Sequence, residues 1–117
     1  MKSLFVVKSN PVPGRESEFN RWYTDIHLPE VIQIEGFQSA QRFQLNKNQV
    51  QPGQSHTYLA IYEIDSENVA ATLDNLNKAT RLTKSYALDQ VSMDISVFDS
   101  IADVIYEAPQ KESTSSK

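Results

Sequence analysis

Between Phe19 and Phe37 the chain reads FNRWYTDIHLPEVIQIEGF, and this stretch constrains the fold more than any other. Phe19, Trp22, Tyr23 and Ile26 fall at i, i+3, i+4 and i+7, one apolar stripe of an amphipathic helix that starts near Arg15. Proline lacks a backbone N–H and crowds the turn before it, so Pro29 should end or kink that helix near His27 or Leu28. Glu30 to Ile34 reads as one more helical turn, stopped by Gly36, after which a strand begins at Phe37. The stretch also holds the only Trp and one of the two His, so one imidazole is expected at a helix end beside three aromatic rings.

The other elements follow from periodicity. Leu4 to Val7 is a short apolar run of β-formers, read as a strand buried on both faces. Asn10-Pro11-Val12-Pro13-Gly14 then turns the chain toward the helix. Phe37, Ser39, Gln41, Phe43 and Leu45 alternate with Gln38, Ala40, Arg42 and Gln44, which predicts a second strand with a polar-leaning face carrying Arg42. Asn46 to His56 is polar, contains Pro52-Gly53, and reads as an exposed connection. Thr57 to Ile64 is the clearest strand, with Tyr58, Ala60, Tyr62 and Ile64 on one face and Leu59 and Ile61 on the other. Asp65 or Ser66 suits the N-cap of a second helix with Val69, Leu73, Leu76 and Thr80 as its inner stripe. Val91, Met93, Ile95, Val97 and Asp99 alternate as a fourth strand that continues irregularly toward Tyr106.

At 117 residues there is chain for one core. Residues 1–106 are expected to form the domain and 107–117, with almost nothing to bury, a disordered tail. The order β-α-β-β-α-β gives an α+β, ferredoxin-like fold: a four-stranded antiparallel sheet with both helices on one face. The other face would then expose an apolar patch of roughly several hundred Å², more than a soluble monomer usually tolerates, so a two-fold dimer packed through the sheet faces is expected.

Composition narrows the function. A net charge of −4 argues against a nucleic-acid partner, which would call for a basic face. With no Cys there is no disulfide, thiolate nucleophile or Cys metal site, and a cytoplasmic setting is expected. No apolar run is long enough to span a membrane. Two His twenty-nine positions apart make no metal-ligand spacing, the three Gly form no phosphate loop, and no metal or cofactor is expected.

The candidate chemistry rests on few residues. His27 lies one turn from Tyr23 and two from Phe19, so all three share a face. It reads either as a general acid–base, for which an imidazole suits neutral pH, or as a helix C-cap donating to free carbonyls, where the helix dipole favours its charged form. Trp22 and Tyr23 are core residues or a pocket wall. Tyr58 and Tyr62 could bind or protonate an oxygen if their face lines a pocket, and are core if it faces the helices. Arg42 could hold a carboxylate or enolate, or be solvated. Glu63 alternates with Leu59 and Ile61 and is either enclosed by that apolar face or exposed at a strand end. His56, after the polar connection, reads as a surface residue.

Pro13-Gly14 with Glu18-Phe19, then Trp22-Tyr23-x-x-x-His27-x-Pro29-Glu30, then Gly36-Phe37 entering Ala40-x-Arg42-Phe43, resemble the EthD-like proteins of the dimeric α+β barrel superfamily. Tyr58-Leu59-Ala60-Ile61-Tyr62-Glu63 is similar too, and the resemblance covers Leu4 to Ile64, with the second half matching by order of elements. It implies a ferredoxin-like protomer, a homodimer through the open sheet faces, and a small-molecule pocket between sheet and helices. The superfamily's chemistry spans muconolactone-type isomerases, polyketide cyclases, cofactor-free monooxygenases and haem-handling members; nothing in this chain marks a haem site. The expected activity is that of a lyase, isomerase or cyclase acting on a small carbonyl, lactone or polyketide-like substrate. His27 would move the proton and Tyr23 or Tyr62 steady the oxyanion, with Phe19, Trp22, Arg42, Tyr58 and Glu63 lining the substrate. The alternatives are a cofactor-free monooxygenase of a phenolic substrate and a non-catalytic binding or accessory protein.

Overall fold

The structure, a computed structural model, describes residues 1–109, so most of the tail expected to be disordered (110–117) lies outside the described residues. Strand β1 (Ser3–Ser9) leads to α1 (Glu16–Trp22), a π-helical turn (Tyr23–His27) and α2 (Leu28–Val31). Strands β2 (Phe37–Gln44) and β3 (Tyr58–Ile64) come next, then α3 (Val69–Lys78), a 3-10 turn (Gln90–Ser92) and β4 (Asp94–Asp99). The four strands form one antiparallel sheet in the order β2-β3-β1-β4, the ferredoxin-like arrangement.

The helix does not stop at Pro29. The Leu28 N–H reaches back five residues to the Tyr23 carbonyl, and this wider turn carries the helix through the proline to Val31. One extra residue in the turn rotates the side chains beyond it about the helix axis. Ile26, expected inside, is 40% exposed, and His27 takes the inward position.

A second insertion acts on β2. The register slips between Phe37 and Ser39, so Gln38 is the extra residue of a β-bulge. Strict alternation would have put Phe37 with Ser39 and Phe43. The bulge instead places it with Ala40 and Arg42, opposite Ile64, Tyr62 and Ala60 on the face beneath the helices. Phe37 then packs edge-on against Phe5 and Tyr62, at 5.7 and 5.6 Å between ring centres.

The core lies between this face and the helices: Phe5 and Val7 from β1, Phe19, Trp22, Tyr23 and Val31 from the helix, and Ala60, Tyr62 and Ile64 from β3. Gly36 makes the turn into β2 with φ +102°, and a Cβ there would meet Thr72 Oγ1 at 1.9 Å, so only glycine lets α3 approach. Helix α3 starts at Val69 with Asn68 at its cap position, later than expected. Asp65 instead closes a local turn, accepting from the Glu67 N–H (3.0 Å) and Asn68 Nδ2 (2.8 Å). Thr80 falls beyond the end of α3, on the exposed chain after it. Val91 sits in the 3-10 turn before β4, not in the strand.

The other sheet face is open. Leu4, Val6, Leu59 and Ile61 are half-buried there, and Phe43 and Phe98 are 40% and 59% exposed. Strand β1 is therefore fully covered on the helix face alone: Ser3, Phe5, Val7 and Ser9 are buried, while Leu4 and Val6 alternate outward. Among the described residues no helix is long and apolar enough to cross a membrane.

Candidate functional site

His27 sits in the inward position created by the π-helical turn. Its ring stacks on the Trp22 indole, 4.6 Å between centres and 24° from parallel, and meets Tyr23 edge-on at 5.0 Å. Neither ring nitrogen has a hydrogen-bond partner among the described residues; Nδ1 is sealed from solvent, which leaves Nε2 as the edge that meets open space. That space is a cavity of about 430 Å3, mostly apolar in its lining. Trp22 and His27 form one wall, and the segment from Ala79 to Gln90 forms the rest.

Burial holds the imidazole neutral. Removing an imidazolium from water costs more than the nearby Glu30 carboxylate returns, and the Arg42 guanidinium adds repulsion. The His27 pKa falls to about 4, opposite to the rise expected of a helix-terminal cap. The cap reading fails on geometry too, since the helix continues past His27.

The remaining candidates form a second cluster, under α1 and away from the cavity wall. The Tyr23 hydroxyl is hydrogen-bonded to those of Tyr62 and Ser9. Burial raises the pKa of both tyrosines, so both stay protonated at neutral pH. The Arg42 guanidinium lies over the Tyr23, Tyr58 and Phe19 rings at 4.6, 5.2 and 5.4 Å. It donates to Asn20 Oδ1 and Thr24 Oγ1, both at 3.0 Å, and no carboxylate pairs with it among the described residues. Arg42 is thus an aromatic-caged cation rather than a solvated side chain. Tyr58 accepts from Asn20 Nδ2 at 3.1 Å. Glu63 lies on the open sheet face, opposite Ser39 and Leu4, on the other side of the sheet from Tyr62. His56 is not a free surface residue: Nδ1 meets Ser55 Oγ at 2.9 Å and Nε2 meets the Ser92 carbonyl at 2.6 Å.

The structure brings Trp22, Tyr23 and His27 together as expected. It separates Phe19, Arg42, Tyr58 and Tyr62 from the cavity by filling the space between helix and sheet with their own rings. The pocket lies beside the helix, not between helix and sheet as the resemblance implied. Sequence reasoning missed the Ala79–Gln90 wall and Glu30, which accepts from the Thr83 N–H and Oγ1, both at 2.7 Å. Glu30 stood in the His-Leu-Pro-Glu motif, but its partner is fifty-three residues on and no local pattern links them.

No protein-family model matches this chain, and no curated protein matches it. Two solved structures share its fold. One is an ethyl tert-butyl ether D (EthD) family protein from Bacillus halodurans, 12% identical with a TM-score of 0.54, covering 86% of this chain and 100% of its own. The other, from Shewanella loihica, is described as a "putative monooxygenase"; it is 14% identical with a TM-score of 0.53, covering 88% of this chain and 99% of its own. The protein therefore has the ferredoxin-like α+β fold that the first of these also has, in agreement with the EthD-like resemblance of its sequence.

Proposed function

We propose that this protein is a cofactor-independent acid–base enzyme acting on a small, flat carbonyl, lactone or enol. The observation that carries the reading is His27: a neutral imidazole on an aromatic wall, with Nε2 unpartnered at the edge of a mostly apolar cavity. A neutral imidazole can take the substrate's α-proton on the Nε2 lone pair, which leaves an imidazolium beside an enolate. The enolate charge favours the imidazolium, which then returns the proton to the enolate oxygen or to a second carbon and regenerates the neutral ring. Trp22 supplies a flat surface for the substrate and Tyr23 fixes the ring edge. Tyr62 and Arg42 act at one remove, by holding Tyr23 through its hydroxyl and its ring face.

The protomer pairs through its open sheet face. Leu4, Val6, Leu59, Ile61, Phe43 and Phe98 supply an apolar surface that a second copy would cover.

The test is proton exchange from D2O into small lactones and β-dicarbonyl compounds, followed by NMR for the native protein and His27→Gln. Exchange that is catalysed by the native protein and lost in the variant supports the reading. Equal rates for both remove His27 from the chemistry. Consumption of dioxygen with a hydroquinone, and no exchange, would replace it with a monooxygenase acting through the same cavity.

A further inference from the structure

Glu30 lies in α2, three residues beyond His27, and both its carboxylate oxygens are engaged by one residue. The Thr83 N–H donates to Oε1 and the Thr83 hydroxyl to Oε2, each at 2.7 Å. The carbonyl of the same Thr83 accepts from Trp22 Nε1–H at 3.0 Å. Thr83 is therefore gripped from two sides, and Trp22 in turn carries the stacked His27 ring.

The segment that Thr83 belongs to has no regular structure after α3 ends at Lys78. Its carboxyl end is fixed to the body: the Val12 N–H donates to the Ala87 carbonyl at 2.6 Å, the Asp89 N–H to Asn10 at 3.0 Å, and Ala87 is fully buried. From Thr80 to Ser85, the hydrogen bonds to distant parts of the chain pass through Thr83 among the described residues, and Ser85 Oγ accepts only from the neighbouring Ala87 N–H at 3.1 Å. Leu82 adds a half-buried contact with the core beside it. This stretch is the far wall of the cavity. A wall held by bonds at one residue, in reach of water, opens at lower cost than the sheet or helices.

We propose that Glu30 is a positioning residue: its carboxylate holds the Ala79–Ser85 strap closed over the cavity and, through the Thr83 carbonyl, fixes the Trp22 indole against His27. The role given to the cavity rests on the proposed function, but the latch itself does not. Breaking the latch frees both the strap and the indole N–H, so the stacked pair loses its orientation as the cavity opens.

Trp22 is the only Trp in the chain, so its fluorescence reports the latch without any ligand. Acrylamide quenching would be compared for the native protein, Glu30→Ala, Thr83→Val and Thr83→Ser, with circular dichroism to establish folding. Serine keeps both donors, and valine removes one. The quenching constant should rise about twofold or more in Glu30→Ala, rise less in Thr83→Val, and stay native in Thr83→Ser, as local opening requires. Native quenching in Glu30→Ala and Thr83→Val overturns the proposal, even if their melting temperatures fall, because a purely structural role would lower stability and leave Trp22 covered. If Glu30→Ala fails to fold, Thr83→Val against Thr83→Ser decides the matter in the same way. Loss of proton exchange activity with native quenching would leave the His27 reading standing, and the reverse pattern would leave the latch standing.

Discussion

Acid should unfold this protein earlier than its carboxylates alone would dictate, because His27 is buried neutral. Its pKa is about 4 in the folded chain and about 6.5 when unfolded. Proton uptake sets the sign. As pH falls below about 6.5, the unfolded chain binds a proton that the folded chain refuses, so stability drops. The loss runs from about pH 6.5 to about pH 4 and then levels, once the folded state also takes the proton. Each pH unit inside that window is worth about 1.4 kcal/mol, so about 2 kcal/mol is gone by pH 5 and about 3 over the whole window. The ring keeps one accessible edge, which makes these upper figures. Glu30 and Asp65, whose pKa values are lowered by hydrogen bonds from Thr83 and from Asn68 and Glu67, also lose stability in acid, but only below their unfolded values near 4. The interval from pH 6.5 to 5 therefore isolates histidine. Urea unfolding at pH 7, 6 and 5 for the native protein and His27→Gln would measure it. The native protein should lose about 2 kcal/mol more than the variant across that range. Parallel curves would refute the buried neutral imidazole.

Gly36→Ala should cost about 3 kcal/mol in urea unfolding, since it combines a φ of +102° with a collision against Thr72. A loss under about 1 kcal/mol would show that α3 packs less closely than described. Tyr62→Phe removes one hydroxyl of the Tyr23 chain and should lower stability by about 1–2 kcal/mol while leaving Trp22 fluorescence native. A shifted emission spectrum would mean that the two clusters are not separate. Ile61→Glu places a charge in the middle of the open sheet face, opposite Val6 and Gln41. Light scattering should give twice the 13.3 kDa chain mass for the native protein and the single mass for the variant. A native monomer would end the sheet-face reading.

Much of the fold was legible because local period and burial agree. The alternation in β3 groups Tyr58, Ala60, Tyr62 and Ile64 on one face, which the structure turns toward the helices, and the β-α-β-β-α-β order then fixes the sheet. The site was legible only in part, because two single-residue insertions decide it. Helical spacing puts both Ile26 and His27 on the side of Phe19 and Tyr23, and the π-helical turn decides between them by leaving Ile26 exposed. Pro29 marked the place of that irregularity but not its kind, since a proline is equally compatible with a helix end. Strict alternation separates Phe37 from Arg42, and only the bulge at Gln38 turns the guanidinium under α1, among rings. Neither insertion leaves a period in the sequence, because each is one residue long. The Ala79–Gln90 wall was illegible for a different reason: ATRLTKSYALDQ has no regular stripe, and its anchors, Asn10, Val12, Trp22 and Glu30, are all distant in the chain.

The central claim is that His27 presents a neutral Nε2 to a ligand oxygen, and nitrogen NMR of the histidine rings tests it most directly. With 15N-labelled histidine at pH 7, the account predicts that His27 carries a single ring proton. Adding a small phenol such as 2-naphthol should shift its Nε2 resonance saturably and leave His56, already bonded at both nitrogens, in place. A doubly protonated His27, or a His27 resonance that ignores the phenol while His56 moves, would contradict it.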